Sequence, residues 1–581
     1  MANIRLRSLS IENYRSFGDV QEFQFPNSEY LKPVSIIGYN NAGKSNFLSS
    51  VLYGIGEKFI SQKTFEIVDL HNLDAENNIH IKATIDASDF APPNQYGYKQ
   101  TIAGDYHIQT AKIDNEIKSS CDPSFFGKNK HYSIFYINFH NIKEEISTQK
   151  TSWGNLKSFL AKHIQKLVDL DQTMKEKKEA FQEDVKRTTE TVLASSQLQD
   201  FIQSIQKNYQ QNLRNNSCHV EFGLPHYEDI FLKMMFKVGL NGTTDNLIPI
   251  EHFGDGFISM FVMAVIQAIA ETNTEDKCLF LFEEPESFLH ENHQEYFYKM
   301  VLCTLSERGH QVIYTTHSDR MIDAFDTKGI IRLEMDENNQ TIKAYNNVGE
   351  FSSPFTDATP EDFNEPINVT RFNEYIKTVE PNLNRMLFSK KVILVEGPND
   401  ILVYKEVIRR KVLEAITGRI DILDHNKFAD TYLNFENISF VCHHGKATAL
   451  YIVELCKHFK IDYYLINDWD FDLEDVQIQQ IIDFPDLAAL KLDILYSDSN
   501  STKKGMLTTN KNLIESTNLS NLHFNVKKLE TVIGYASDDK SGIKIWNLVQ
   551  SPGFVITENL YPSSLNKFLE INTLSQENQF I

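Results

Sequence analysis

The sequence has little of what would place it in a membrane or an oxidising compartment. Its six cysteines (Cys121, Cys218, Cys278, Cys303, Cys442 and Cys456) show no C-x-x-C spacing, which excludes a zinc ribbon and offers no disulfide framework. Long apolar runs are missing too. The best of them, "FVMAVIQAIA" at 261–270, is half a membrane span, and the opening "MANIRLRSLSIENYRSF" lacks the apolar core of a signal peptide. A soluble, cytoplasmic protein with no membrane partner is predicted. Positive charge is also short: 57 Lys and Arg against 79 Asp and Glu leave a net charge of −22. Any contact with DNA must therefore be local, or carried by bound cations. At 581 residues the chain exceeds one core, and at ~150 residues per domain it predicts about three or four units.

Glycine and proline are absent from Asn155 to Phe222, where Leu156, Phe159, Leu160, Ile164 and Leu167, then Phe181, Val185, Phe201, Ile202 and Ile205, recur at helical spacing. This predicts a helical insertion. Its polar midsection "DQTMKEKKEAFQEDVKR" fits two solvated helices pairing along a narrow apolar stripe, within the chain or with a second copy. Prolines gather instead at Pro354, Pro360, Pro366 and Pro381, a composition that breaks regular structure and reads as a connector. The expected division is 1–154 and 223–345 for the two parts of a first domain, 155–222 for the insertion, 346–387 for the connector and 388–581 for a second domain.

Within the first domain, "GYNNAGKS" at Gly38–Ser45 is G-x-x-x-x-G-K-[ST], set between a strand-like "PVSII" and a helix-like run. Glycines in such a loop let backbone N–H groups close around phosphates at a helix N-terminus; Lys44 neutralises the terminal phosphates and the Ser45 hydroxyl ligates Mg²⁺. The loop thus nominates Gly38, Asn40, Asn41, Gly43, Lys44, Ser45 and Asn46 as ATP-binding. A distant acid for the metal is supplied by "CLFLFEEPESFLH", an apolar strand ending on Glu283 and Glu284. Side chains alternate along a strand, so Glu283 can hold the metal's water shell while Glu284 orients the attacking water. After "QVIYTT", His317 is placed to sense the terminal phosphate. Taken together, these segments resemble the ABC-type ATPase heads of the SMC and RecF kind, with "SIENYRSF" as the opening strand and "HFGDG", around Gly254 and Gly256, as a signature loop lacking the usual serines. That resemblance implies ATP hydrolysis between two copies, hence a homodimer or higher homo-oligomer.

The second domain opens on "VILVEGPNDILVY", a greasy strand that ends on Glu396, with Asp400 four residues later. In "KIDYYLINDWDFD" another apolar strand ends on Asp468 and Asp470. A lone D-x-D arises by composition about once or twice in any chain this long. Order gives it meaning, because strand, helix, "ISFVCHHGK", helix and strand make successive βα units, which fold into a parallel sheet with all C-terminal strand ends along one edge. Glu396, Asp468 and Asp470 are then predicted to converge, as carboxylates must to hold Mg²⁺ or Mn²⁺.

This pattern resembles a TOPRIM domain, and an ATPase head followed by TOPRIM resembles the OLD-family ATP-dependent nucleases, including those of the Gabija anti-phage type. The resemblance implies Asp400 as a further metal ligand, a late acid for which "VKKLETVIG" offers Glu530, and a lysine offered by Lys544 or Lys540 in "SDDKSGIKIWNLV". The expected fold is α/β multidomain: an ABC-type head with a helical dimerisation insertion, then a TOPRIM Rossmann-like parallel sheet. The implied function is an ATP-binding DNA endonuclease using two metals, with a helicase-like protein as a possible partner. The alternative is an ATP-driven DNA-binding clamp or sensor whose TOPRIM half does not cleave.

Overall fold

A computed structural model of the chain describes residues 4–55, 61, 63–87, 104–113, 116–122, 134–143, 171–194, 197–213, 237–239, 247–272, 277–349, 351, 369–471, 501–536, 539 and 541–575. It divides into two compact units, one of Met1–Glu22, Asn27–Val34 and Ser45–Thr316, the other of Phe23–Pro26, Ser35–Lys44 and His317–Ile581.

In the first unit, the strand Ile4–Glu12 alternates buried Leu9 and Ile11 with more exposed neighbours and pairs antiparallel with His80–Ala87, which continues to Gly104–Ile113 and Glu116–Asp122. Apolar alternation of this kind suits a sheet with one covered face. A parallel ladder places Leu279–Glu283 between Ile134–Asn138 and Gln311–Thr315, with Glu283 opposite both Asn138 and Thr315. Leu279, Phe280, Leu281 and Phe282 are all buried, as a parallel strand covered on both faces requires.

The insertion forms helices over Gln172–Leu193 and Gln197–Leu213. Asp171 caps the first by accepting from the N–H groups of Thr173 and Met174, and Ala194, at ψ 127°, ends it. The polar midsection thus lies in one continuous helix rather than two. The remainder of 155–222 lies outside the described residues.

In the second unit, Ser35–Ile37 of the strand Val34–Ile37 runs parallel to Ile330–Arg332 of the strand Ile330–Met335, which pairs antiparallel with Thr341–Asn346. The expected connector is partly regular: Val369–Val379 is a helix, with Ile376 buried and Phe372 packed against the core. Its proline, Pro381, stands just beyond the helix and so ends it without interrupting it.

Four parallel strands follow in the spatial order Ile438–Cys442, Lys391–Val395, Asp462–Asp468, Leu522–Asn525. The helix Pro398–Ala415 packs on one face, against Ile393, Val395, Tyr464 and Ile466. Lys446–Phe459 covers the other, against Val392, Leu394, Tyr463 and Leu465. Successive crossovers therefore leave on opposite sides, which opens a crevice at the carboxyl ends of Lys391–Val395 and Asp462–Asp468. The C-terminal stretch closes this core: Ile545, Val549, Leu560 and Leu565 are buried in the same cluster as Val403 and Val407.

Candidate functional sites

The phosphate-loop motif has the shape its sequence predicts. The strand Val34–Ile37 leads through Gly38 at φ +155°, Asn41 at φ +68° and Gly43 at φ +89° into the helix Lys44–Gly54. A Cβ at Gly38 would overlap the Leu333 carbonyl oxygen and lie 2.9 Å from Ala42 Cβ, so only glycine fits. Lys44 Nζ donates to the carbonyls of Gly38 at 2.9 Å and Tyr39 at 3.1 Å, and lies 3.3 Å from His317 Nδ1. Asn40 and Ser45 are exposed. Asn46 donates to Ser16 Oγ at 2.9 Å.

On the first unit's parallel ladder, Glu283 is fixed from the neighbouring strand. Its Oε2 accepts from Tyr136 Oη at 2.6 Å and from Asn138 Nδ2 at 3.0 Å. Glu284 sits in the left-handed region at φ +47°, its N–H donating to Thr315 Oγ1 at 3.1 Å and its carboxylate 3.5 Å from His140 Nδ1. That conformation is uncommon for glutamate and turns the side chain away from the strand's alternation. Gly254 has open space where a Cβ would stand, whereas a Cβ on Gly256 would come within 2.9 Å of the Phe288 carbonyl oxygen. Tyr136, Asn138 and His140 carry no motif, and only the pairing of Ile134–Asn138 with the acidic strand reveals them.

At the crevice of the second unit, Glu396 follows its strand directly, and Asp400 lies in the first turn of Pro398–Ala415, its Oδ2 accepting from the Gly397 N–H at 3.0 Å. Asp468 ends the neighbouring strand; its Oδ1 accepts from the Leu529 N–H at 2.9 Å and from Asn525 Nδ2 at 3.3 Å. Tyr404 Oη donates to Asn525 Oδ1 at 2.8 Å, completing a buried brace behind Asp468. Glu530, 5% exposed, stands in the first turn of Leu529–Val532.

Burial and neighbouring charge act together on these acids. Burial, then Glu396, then Glu530 push the Asp400 carboxyl up to about 7, against the Gly397 hydrogen bond that lowers it. Asp468 is pushed up to about 7 by burial, then Glu396 and Asp400, against its hydrogen bonds from Leu529 and Asn525. Like charges held together in a low-dielectric pocket produce this signature.

Asp470 is held differently. It lies at φ +68°, its N–H donates to the Lys527 carbonyl at 2.8 Å, and its carboxylate pairs with Lys446. The intervening Trp469 is wholly buried. Lys446 also donates to Asn510 Oδ1 at 2.8 Å, and sequence reasoning did not single it out. Its only signal is its place at the start of a helix, after "HHG". Lys544 lies in the first turn of Gly542–Gln550, paired with Asp539 and with 60% of its side chain exposed. Lys540 is outside the described residues.

Comparison with known proteins places these two regions. The AAA ATPase domain family matches residues 57–322, a span that begins after the phosphate loop and includes Glu283, Glu284 and His317. The TOPRIM domain of the Overcoming lysogenization defect protein-like family matches residues 387–470, which include Glu396, Asp400, Asp468 and Asp470. The OLD nuclease of Thermus scotoductus is 22% identical over 496 residues, covering 80% of this chain and 82% of its own. The Old nuclease of Escherichia phage P2 is 24% identical over 573 residues, covering 94% and 87%. Endonuclease GajA of Bacillus cereus is 22% identical over 449 residues, covering 70% and 68%. ATPase and TOPRIM domains in general use nucleotide and divalent metal, and among the described residues no helix is long and apolar enough to cross a membrane. An AAA ATPase domain followed by an OLD-like TOPRIM domain is the order these matches give, and the OLD nucleases are the proteins this chain resembles along most of its length.

Proposed function

We propose that this protein is an ATP-binding, metal-dependent DNA endonuclease, acting in anti-phage defence of the Gabija type. The observation that carries the reading is the buried cluster of Glu396, Asp400, Asp468 and Glu530, in which burial first and neighbouring carboxylates second raise Asp400 and Asp468 to about 7. An acidic pocket of this kind fits hard divalent cations, which relieve the repulsion. Glu396, Asp400, Asp468 and Glu530 would hold Mg²⁺ or Mn²⁺, with Asp470 beside them. Two such ions supply activation of the attacking water and stabilisation of the leaving oxygen. Asn525 and the Leu529 N–H keep Asp468 oriented, the Gly397 N–H does the same for Asp400, and Lys544 offsets charge on the scissile phosphate. Bound cations also reconcile a chain of net charge −22 with a DNA substrate.

In the ATPase half, Lys44 and Ser45 bind phosphates and magnesium, Glu283 holds the metal's water, Glu284 is the general base and His317 senses the terminal phosphate. Gly254 and Gly256 approach the nucleotide of a second copy. Oligomerisation uses the insertion, where Phe201 is 60% exposed and Ile205 40%. Deleting roughly residues 157–220 lowers the mass measured by light scattering; retention of the parent mass refutes that role. A helicase-like protein is the proposed partner.

Plasmid incubated with the purified protein and Mg²⁺ or Mn²⁺ tests the whole reading. Nicks or breaks support the nuclease, altered supercoiling of intact circles points to a topoisomerase, and untouched plasmid favours the clamp or sensor.

A further inference from the structure

Beside the acidic crevice lies a second group of donors that neither proposed site uses. A carboxylate oxygen of Glu380, the Cys442 sulfur and a ring nitrogen of His444 all lie within 4.8 Å of one another. They come from three places in the chain. Glu380 follows the helix Val369–Val379, Cys442 is the last residue of its strand, and His444 stands in the next turn at φ +55°. Glu380 Oε2 accepts from the Cys442 N–H at 3.1 Å and lies 3.6 Å from His444 Nε2. Glu380 is 8% exposed and Cys442 4%, while 29% of the His444 side chain reaches solvent.

A carboxylate, a thiol and an imidazole together make a borderline-soft set, unlike the all-oxygen crevice next to it. In a tetrahedral zinc site the donors stand about 3.3–3.8 Å apart, as bonds of ~2.0–2.3 Å dictate. The Glu380 to His444 separation already falls in that range, and small side-chain rotations bring in the sulfur. His444, open on one side, leaves a fourth position for water.

We propose that Glu380, Cys442 and His444 bind one divalent cation of the zinc class, which latches the segment ahead of the TOPRIM strands to the turn at 443–445. Binding replaces the Cys442 S–H bond with a sulfur–metal bond, and the proton leaves to solvent. The latch has a direct route to the proposed nuclease site. The His444 N–H donates to the Glu396 carbonyl oxygen at 3.2 Å, and the His443 N–H donates to Val395 at 2.8 Å, so the turn that carries a ligand also seats the end of the Glu396 strand. The absence of C-x-x-C spacing conceals such a site, because its one cysteine is joined by residues 62 positions before it and two after it.

Cobalt is the probe, since Co²⁺ takes zinc sites and reports a thiolate ligand by a near-ultraviolet charge-transfer band. The full chain, stripped with chelator and titrated with Co²⁺, is expected to show that band at one equivalent. Cys442→Ser abolishes it, while Cys456→Ser and Asp468→Asn leave it in place. His444→Ala and Glu380→Gln weaken Co²⁺ binding at least tenfold in competition with a chromogenic chelator, and so test the site even if Cys442→Ser folds poorly. No band in the wild type, or a band that survives Cys442→Ser, overturns the proposal. So does a band lost only in Asp468→Asn, which assigns the ion to the acidic crevice. The readout does not involve DNA cleavage, so failure of the nuclease reading and failure of this one are separable.

Discussion

Two regions of this protein gather carboxylates at the ends of buried strands, and the two are built differently. At the end of Leu279–Glu283 the acid is satisfied by its neighbours: Tyr136 and Asn138 hold Glu283 from the adjoining strand. At the ends of Lys391–Val395 and Asp462–Asp468 the acids confront one another, and Asp400 and Asp468 rise to about 7. A carboxylate gripped by neutral donors is already aimed, which suits orienting a water around a nucleotide's metal. Carboxylates that repel are stabilised when a cation arrives, which suits a site whose work is to hold ions. On the proposed function, strand-ending acids would thus serve two chemistries, with their surroundings deciding which.

The largest effect that separates the two ends is expected from Glu396→Gln and Asp468→Asn. Each keeps side-chain volume but removes a charge from the repelling set, and each should lower metal-dependent plasmid nicking on the order of a thousandfold. ATP hydrolysis, measured in parallel, should stay near wild type; normal cutting by these variants breaks the comparison. In the other direction, Glu284→Gln should slow ATP turnover by about a hundredfold or more while nucleotide stays bound. Lys44→Ala should lose both binding and hydrolysis. Glu284→Gln turning over at the wild-type rate would transfer the base to Glu283.

Smaller effects sharpen the contrast. Lys544→Ala should lower nicking about tenfold or less, since the cation it removes is exposed. An unaffected variant would pass that part to Lys446 or Lys540. The smallest effect is thermal. Asp400 and Asp468 rise from the ordinary 3.8 to about 7, so the folded metal-free protein holds their protons more tightly than the unfolded chain. Their stabilising contribution is complete below pH 3.8 and is lost as pH climbs through about 7. Scanning calorimetry without metal should therefore show melting fall by roughly 5 °C from this cause between about pH 5 and pH 8. Mn²⁺ should restore it at the upper end only, and Asp400→Asn should flatten the profile.

Much of this was legible beforehand, because strong local signals fixed it. Successive βα units forecast the parallel sheet of the second unit, and the phosphate loop falls between strand and helix as its glycines require. Other parts were not legible, for identifiable reasons. The helix Val369–Val379 hid among prolines that bracket it, since composition registers a breaker without its position relative to Phe372 and Ile376. Asp470 looked equivalent to Asp468 by alternation, but it lies at φ +68° and pairs with Lys446, a partner that only the tertiary fold brings near. Tyr136 and Asn138 could not be found at all, because register between strands distant in sequence is a tertiary property.

Gly38 bears on how such sequences are read by descent. A Cβ there is forbidden by the Leu333 carbonyl and crowded by the Ala42 methyl, both parts of the protein itself rather than of any nucleotide. Substitution there would report on folding, whereas Lys44, which donates to the Gly38 and Tyr39 carbonyls, is a side chain aimed into the loop. A descendant that abandoned ATP would be free to lose the lysine and still be obliged to keep the glycine, so in this lineage a surviving glycine testifies to crowding, and only the lysine to an occupation still practised.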